Sequence, residues 1–262
     1  MTQTTRTANA IGLYLEGIRD GNMAQALDKY TGDRYTQHST GVRDGKDGFI
    51  EFFGPFLERN PIRDIQIKRT IEDGQYVFVH VYQNLNNGEA EWVTADIFDT
   101  DADGKIIEHW DVIAEYKWPT VSGRSMVDGP TDIADLDQTD ANKAVIEGFV
   151  QDVLIGGQTD KVTDYISTEQ YDQHNPDVGD GLDGFGAYLQ QIGAAGTPMQ
   201  YVKVHRLLGQ GNFVVIYSHM KMGADDFAVI DLFRLKAGKI VEHWDVQEKI
   251  APKDQWNNSG KF

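Results

Sequence analysis

The chain carries one ordered set of motifs twice. They are Glu-His-Trp-Asp-Val at 108–112 and 242–246, Asp-x-Phe at 96–98 and 231–233, and Tyr-x-Gln-His at 35–38 and 171–174. The spacing between copies is nearly constant, since His243 follows His109 by 134 residues and His174 follows His38 by 136. A constant offset predicts one ancestral domain of about 120 residues, duplicated in tandem, with each copy a globular domain.

Within each half, helical patterns precede strand patterns. Phe49, Phe52, Phe53 and Phe56 recur at the spacing of one helix face. Runs typical of strands, separated by Gly, Asn and Asp turns, follow at 64–72, 75–84, 90–99 and 105–116, and again at 200–208, 212–221, 226–235 and 239–249. Helices followed by an antiparallel meander predict an α+β fold with helices packed on one face of a curved sheet. We expect two such domains, at 8–118 and 140–251, joined by a linker at 119–139.

Composition excludes several classes of protein. The net charge of −17 disfavours nucleic acid as a partner, because phosphate backbones would be repelled. The absence of cysteine excludes disulfides, thiolate metal sites and a cysteine nucleophile. No apolar run reaches the roughly 18 residues of a membrane span, and the opening residues 1–6 lack the apolar core of a signal peptide. We therefore expect a cytoplasmic protein that does not bind membranes.

Histidines are the sharpest indication of a site, because all seven lie in segments that align between the copies: His38, His80, His109, His174, His205, His219 and His243. Alternation along a strand puts His80 and Tyr82 on one face, and Tyr217 and His219 on the matching face of the second copy. Each of these histidines could equally be a structural residue satisfied by neighbouring hydrogen bonds.

Asp96 and Asp231 are the candidate acid–base residues. Each lies beside apolar residues on a strand expected to be central, and burial raises the pKa of a carboxyl into the range useful for proton transfer. In the Glu-His-Trp-Asp motif, Glu108 and Trp110 must face one way while His109 and Asp111 face the other. We expect this motif to be mainly structural.

Taken together, the ordered motifs resemble the SnoaL-like family of the NTF2-like superfamily. The resemblance rests on Gln-His, Asp-Gly-x-x-Gly-Phe, Asp-x-Phe and Gly-Lys-Ile-x-Glu-His-Trp-Asp-Val, and it covers nearly all of both halves. It implies cone-shaped α+β barrels, each enclosing an apolar pocket. It also implies intramolecular aldol cyclisation, or related isomerase or lyase (dehydratase) chemistry, without metal or organic cofactor.

The resemblance also assigns roles to residues. Asp96 and Asp231 correspond to the general acid/base, and the helper histidine maps onto the region of His80 and Tyr82 and that of Tyr217 and His219. We expect His38 and His174 to take part in catalysis as well. The expected substrate-binding residues are Tyr35, Tyr82, Trp92, Tyr171, His205, Tyr217 and Phe227. Because the second copy keeps the more family-like His174-Asn175-Pro176, we expect its pocket to be retained more surely than that of the first.

Three functions remain open from the residues. The leading hypothesis is an enzyme that enolises an apolar carbonyl compound. The first alternative is a non-catalytic small-molecule-binding or dimerisation module. The second is a metalloenzyme whose ligands would be His174, His205, His219 and Asp231. We also expect the two halves to pack as an intrachain pseudo-dimer, which could assemble further into homo-oligomers.

Overall fold

A computed structural model describes residues 4–262, so the first three residues of the opening segment lie outside the described part. The chain divides into two compact units, residues 1–115 together with 251–262, and residues 116–250. Segment 119–139, expected to be a linker, belongs to the second unit, and the segment after the last strand belongs to the first. Among the described residues, no helix is long and apolar enough to cross a membrane.

The first unit has helices packed on a five-stranded sheet. Its elements are α1 (Thr5–Gly12) continued by a π-helix (Leu13–Arg19), α2 (Met23–Tyr30), β1 (Thr31–Gln37), α3 (Gly45–Arg59), β2 (Arg63–Asp73), β3 (Tyr76–Leu85), β4 (Ala90–Thr100) and β5 (Ile106–Glu115). The sheet order is β1-β5-β4-β3-β2, with β1 parallel to β5 and the other pairs antiparallel. The four meander strands match the predicted runs closely, whereas β1 was not predicted.

The second unit repeats this order. Its elements are α4 (Thr139–Phe149) continued by a π-helix (Val150–Ile155), α5 (Val162–Tyr165), β6 (Asp172–Gln173), α6 (Gly181–Ala194), β7 (Met199–Gln210), β8 (Phe213–Met222), β9 (Asp225–Lys236) and β10 (Lys239–Lys249). The sheet order is β6-β10-β9-β8-β7. Two separate sheets, one in each unit, confirm the predicted α+β class with tandem domains.

Alternation along the strands decides which residues reach the space between sheet and helices. In β3, Val77, Val79 and Val81 belong to the same buried core as the helix residues Leu13 and Leu27. Successive side chains point to opposite faces, so the even-numbered residues of β3 lie on the other face of the sheet. In β8, Val214, Ile216 and Met220 take the core side in the same way. The helix-facing side of both strands is therefore apolar.

Candidate active site

The first unit encloses a cavity of about 340 Å³ between its sheet and its helices. Its wall is largely apolar and aromatic, from Leu13, Ile18, Tyr35, Phe49, Phe52, Phe53, Phe56, Leu85, Trp92, Phe98 and Ile113. Polar groups reach it at one end, where Asp96, His109 and Asp111 lie together with Tyr14 and Gln37. An apolar slot with a few convergent polar groups is the usual form of a small-molecule site.

The Asp-Gly-x-x-Gly motif at 44–48 connects β1 to α3 beside this cavity. The Asp44 Oδ1 atom accepts a hydrogen bond of 2.8 Å from the backbone N–H of Gln37, which ties the start of α3 to the end of β1. Gly45 has φ +86°, a conformation that favours glycine. A Cβ at Gly48 would lie 2.0 Å from the backbone oxygen of Arg43, so the turn needs glycine there too. The motif thus positions Gln37 and serves a structural purpose.

Gln37 in turn orients His109. The Gln37 Oε1 atom accepts hydrogen bonds from the backbone N–H groups of His38 and Ser39, both at 3.1 Å, which identifies it as the oxygen of the amide. It lies 2.8 Å from Nδ1 of His109, so that nitrogen carries a proton and donates. The other ring nitrogen, Nε2, lies 2.7 Å from Oδ1 of Asp96. The geometry leaves one proton to be shared between His109 Nε2 and Asp96 Oδ1.

Asp96 is buried and held on both oxygens. Its Oδ2 atom accepts a hydrogen bond of 2.7 Å from the hydroxyl of Tyr14, which comes from the helical layer. Burial raises the pKa of Asp96, although the hydrogen bonds and charge of His109 oppose this shift. A carboxyl with a raised pKa in an apolar cavity can take and return a proton near neutral pH. Burial and the nearby charge of Asp96 likewise raise the pKa of Tyr14, so Tyr14 stays a donor.

The second unit repeats the polar arrangement in a much smaller space. Its cavity measures about 40 Å³ and includes Asp231, His243, Asp245 and Gln173. His243 lies 3.0 Å from Gln173 Oε1 through Nδ1 and 3.0 Å from Asp231 Oδ1 through Nε2. The tyrosine that donates to Asp231, at 2.9 Å, is Tyr201 of β7.

Tyr201 thus makes the contact that Tyr14 makes in the first unit, but from a different element of the fold. At the repeat offset it takes the position of Ile65 in the first unit, so a larger side chain reaches across to Asp231. The volumes argue against the expectation that the second pocket is the better preserved, because only the first has room for an organic ligand.

We expect the second unit to lose stability as pH rises through the titration of His243. Burial lowers the pKa of His243, but the hydrogen bond to Asp231 and the charges of Asp245 and Asp231 outweigh it and raise the pKa. A histidine whose folded-state pKa is raised stabilises the fold fully below its unfolded value of about 6.5, and that contribution disappears as pH rises through the folded value.

Hydrogen exchange of β9 and β10 between about pH 6 and about pH 9, corrected for intrinsic rates, measures this effect. His243→Asn should flatten the dependence, whereas His219→Asn, at a partly exposed site, should leave it in place. A wild-type protein whose β9 and β10 are equally protected across this range would contradict the prediction.

Among the predicted site residues, Asp96, Tyr35 and Trp92 line the first cavity, and Asp231 and Tyr171 line the second. His38 and His174 do not line either. His38 stacks on Trp110, donates through Nδ1 to the carbonyl of Gly260 at 2.6 Å, and lies 2.8 Å from Glu108 through Nε2. His174 makes the matching contacts with Trp244, Ser125 and Glu242. Both ring nitrogens are engaged in each case, so the structure does not bring these two histidines to the cavities, and their expected catalytic role stays a prediction.

The histidine–tyrosine pairs on the second strand of each meander also lie away from the cavities. His80 and Tyr82 lie on the face of β3 opposite the cavity, where Arg69 donates to His80 and Tyr82 donates to Glu91. Tyr217 and His219 lie on the matching face of β8, and His219 pairs with Asp226. The reason is that valine, isoleucine and methionine occupy the helix-facing positions of these strands.

His205 and Phe227, which were expected to bind the substrate, are not among the residues that line the second cavity. Burial, followed by the charge of Lys203, lowers the pKa of His205 to about 4, and its ring contacts Tyr217. Phe227 packs against the core. The metal set expected from the sequence is likewise not assembled, because His174, His205 and His219 are not at the cavity with Asp231.

A different group, Asp231, His243 and Asp245, brings its ligand atoms within 4.8 Å of one another. We interpret this group as part of a hydrogen-bond network. His243 bonds to Asp231 as His109 bonds to Asp96 in the first unit, whereas Asp245 accepts from the amides of Asn175 and Gln247.

Sequence reasoning missed His109, Asp111, Tyr14 and Gln37. Asp96 is the cross-strand partner of Asp111 in the β4–β5 ladder. Directly opposed residues project to the same face, so this pairing could have brought Asp111 and His109 into the site. Tyr14 gave no such signal, because the repeat offset aligns it with Val150 in the second half.

A profile described as SnoaL-like domain matches residues 12–109 and 146–243, most of the chain. The protein therefore belongs to the SnoaL-like family, and the predicted membership is confirmed. Comparison with proteins of curated function returned no match.

Each of the solved structures similar to this chain matches a stretch about as long as one of its two units. A candidate polyketide cyclase from Bacillus cereus is 18% identical, with 42% of this chain and 74% of that chain covered and a TM-score of 0.38. IdmH, a candidate polyketide cyclase from Streptomyces antibioticus, is 15% identical, with 42% and 92% covered and a TM-score of 0.37. A candidate ketosteroid isomerase from Kribbella flavida is 14% identical, with 44% and 83% covered and a TM-score of 0.37. Each likeness covers less than half of this chain.

Proposed function

We propose that the first unit enolises an apolar carbonyl compound without a cofactor, with Asp96 as general acid/base. The observation that carries the proposal is the Gln37–His109–Asp96–Tyr14 arrangement at the polar end of the cavity. A module that only binds a ligand needs the apolar slot but has no use for a buried carboxyl that shares a proton with an oriented imidazole. Membership in the SnoaL-like family supports the same chemistry.

In the proposed reaction, Asp96 removes a proton from the carbon next to the carbonyl. The C–H bond breaks, its electron pair forms the C=C bond of an enolate, and the proton moves onto the carboxyl. His109 lies at 2.7 Å from Asp96 and can share that proton before it returns to carbon. Return at another carbon gives isomerisation, and attack of the enolate on a second carbonyl gives cyclisation.

The cavity limits the size of the substrate. At about 340 Å³ it lies at the lower end of the 300–1,000 Å³ typical of small-molecule sites. Its aromatic wall suits a compound of two or three fused rings, with the carbonyl directed to Asp96. The second unit, with about 40 Å³, is proposed to be mainly structural.

Deuterium exchange tests the proposal without knowledge of the natural substrate. We expect the protein in D₂O to catalyse exchange of the α-hydrogens of 2-tetralone, a small bicyclic ketone, measured by mass spectrometry. Quenching of Trp92 fluorescence, assigned with Trp92→Phe, measures binding in the same cavity. Binding of 2-tetralone and related ketones without any exchange above buffer would favour the alternative of a non-catalytic binding module.

A further inference from the structure

The segment after β10 is part of the first unit and lies against the residues that follow β1. The side chain of Asn258 donates to the backbone oxygens of Ser39 and Val42 at 2.6 and 2.8 Å. The backbone N–H of Asn257 donates to Thr40 at 2.9 Å. The carbonyl of Gly260 accepts from His38 at 2.6 Å. These contacts tie residues 257–260 to the segment that begins at His38, and so determine where Lys261, the residue after Gly260, is directed.

Lys261 is one of the most deeply buried polar residues of the first unit. The residue is 1% exposed, and its Nζ atom donates to Oδ1 of Asp111 at 2.9 Å and to the backbone oxygen of Asp111 at 3.0 Å. Lysine is almost never fully buried unless it is paired, because removing an ammonium from water is costly. Asp111 itself lines the cavity. A cation from the segment after β10 therefore reaches the carboxylate next to the proposed reaction centre.

The second unit lacks this cation. There His174 donates to the carbonyl of Ser125, and the residue that follows is Met126, which is also buried. The matching carboxylate, Asp245, receives amide donors from Asn175 at 2.8 Å and Gln247 at 2.5 Å. Its Oδ1 atom has no hydrogen-bond partner among the described residues. The residue that follows the histidine-bound carbonyl is thus a lysine paired with Asp111 in the first unit and a methionine in the second, whose sulfur accepts from the backbone N–H of Lys117 at 3.1 Å.

We propose that Lys261 is a positioning residue of the first cavity, whose ammonium pairs with Asp111 and stops that carboxylate from competing with Asp96 for the proton shared with His109. The effect of this pairing on catalysis rests on the proposed function of Asp96. The pairing itself is independent of that function.

Electrostatics supports this role. Asp96 and Asp111 are cross-strand partners, and two carboxylates in one buried site raise the pKa of one another. Burial raises the pKa of Asp111, but the charge of Lys261, followed by that of His109, outweighs it and lowers the pKa. In the second unit burial, with Asp231 adding to it, raises the pKa of Asp245. The groups that face Asp111 from the surrounding elements are Tyr14, Tyr35, Ser39, Asp96, His109 and Lys261.

Replacing Lys261 by the residue of the second unit tests the inference. In Lys261→Met, Asp111 is left without its cation and holds a proton together with Asp96. We expect the pH at which 2-tetralone exchange reaches half its maximum to move upward. The rate near neutral pH should fall about tenfold for each pH unit of that upward shift, because the ionised fraction of the base falls by that factor. Lys253→Met, at an exposed position of the same segment, should leave both quantities unchanged.

A second variant separates a positioning role from a structural one. In Asp111→Asn/Lys261→Met the competing carboxylate is gone, so the half-maximal pH should return toward the wild-type value even if the maximal rate does not. A fall in stability in Lys261→Met with no change in half-maximal pH would overturn the inference. An upward shift that persists unchanged in the double variant would overturn it as well.

Carbon-13 NMR titration of the Asp111 carboxyl keeps the test independent of catalysis. We expect Asp111 of the full-length protein to titrate at higher pH in Lys261→Met than in the wild type. An unchanged titration would overturn the inference even if exchange is catalysed. If the wild type catalyses no exchange but the titration shifts as expected, the proposed function fails and the electrostatic role of Lys261 stands.

Discussion

Asp96→Asn should lower the rate of 2-tetralone exchange about 10²- to 10⁴-fold, the usual contribution of a general acid or base. The amide keeps the shape of the side chain and can still accept from Tyr14, but it cannot ionise and take a proton. Ligand binding, measured by quenching of Trp92, should change little because the apolar wall is untouched. The comparison of exchange rate with binding separates a chemical from a structural role.

Two matched variants control this result. Asp99→Asn changes another buried aspartate of β4, three residues along and not among the residues lining the cavity, and should leave exchange largely intact. Asp231→Asn removes the equivalent carboxyl from the cavity of about 40 Å³ and should keep most of the activity. Wild-type exchange in Asp96→Asn would refute the assignment of Asp96. A larger loss in Asp231→Asn than in Asp96→Asn would place the active site in the second unit.

Glu242→Ala should destabilise the second unit by about 3–5 kcal/mol, the cost of removing one partner of a buried ion pair. The Glu242 side chain is only 2% exposed and lies 2.9 Å from Nε2 of His174 and 2.6 Å from Nε of Arg234. Burial raises the pKa of Glu242, but the hydrogen bonds from His174 and Arg234 outweigh it and lower the pKa, so the carboxylate is the form that the fold holds. Its removal leaves the partly buried guanidinium of Arg234 and the buried imidazole of His174 without their counter-charge.

Glu108→Ala is the control that the repeat provides. Glu108 pairs with His38 as Glu242 pairs with His174, but its side chain is 18% exposed and its other partner, Arg34, is 53% exposed. Its loss should therefore cost less, on the order of 1 kcal/mol. Denaturant unfolding, with hydrogen exchange to assign the loss to β9 and β10 or to β4 and β5, measures both variants. Equal losses in the two variants would show that burial does not set the strength of these pairs.

The sequence predicted the strands well, because turn residues separate the runs so clearly. Asn86, Asn87 and Gly88 adopt φ of 52°, 58° and 93°, the left-handed region that asparagine and glycine tolerate, at the predicted turn between β3 and β4. The short parallel strand β1 escaped prediction because its residues, Thr31–Gln37, contain no apolar alternation and pair only with a strand about 70 residues away. Local patterns predict local pairings, and this one is not local.

The candidate site was predicted only in part. Asp96 and Asp231 were found because they lie between apolar residues on a central strand, a signal within a few neighbouring residues. His109 was predicted to be mainly structural, yet it lies on the same face of β5 as Asp111, and both residues line the cavity. Its role depends on Gln37, which fixes the proton on Nδ1 from 72 residues away. No pattern along the chain records that contact.

The sequence by itself determined the duplication, the α+β class and the meander strands, since periodicity and turn chemistry are properties of short stretches of chain. It also predicted that two aspartates lie among apolar residues of central strands. Only the tertiary structure decided which face of β3 and β8 the helices cover, and so removed His80 and His219 from the site. It also engaged both ring nitrogens of His38 and His174, and it brought Lys261 to Asp111 across 150 residues of sequence. Alternation fixes which side chains share a face, but packing between distant segments chooses the face that encloses a cavity.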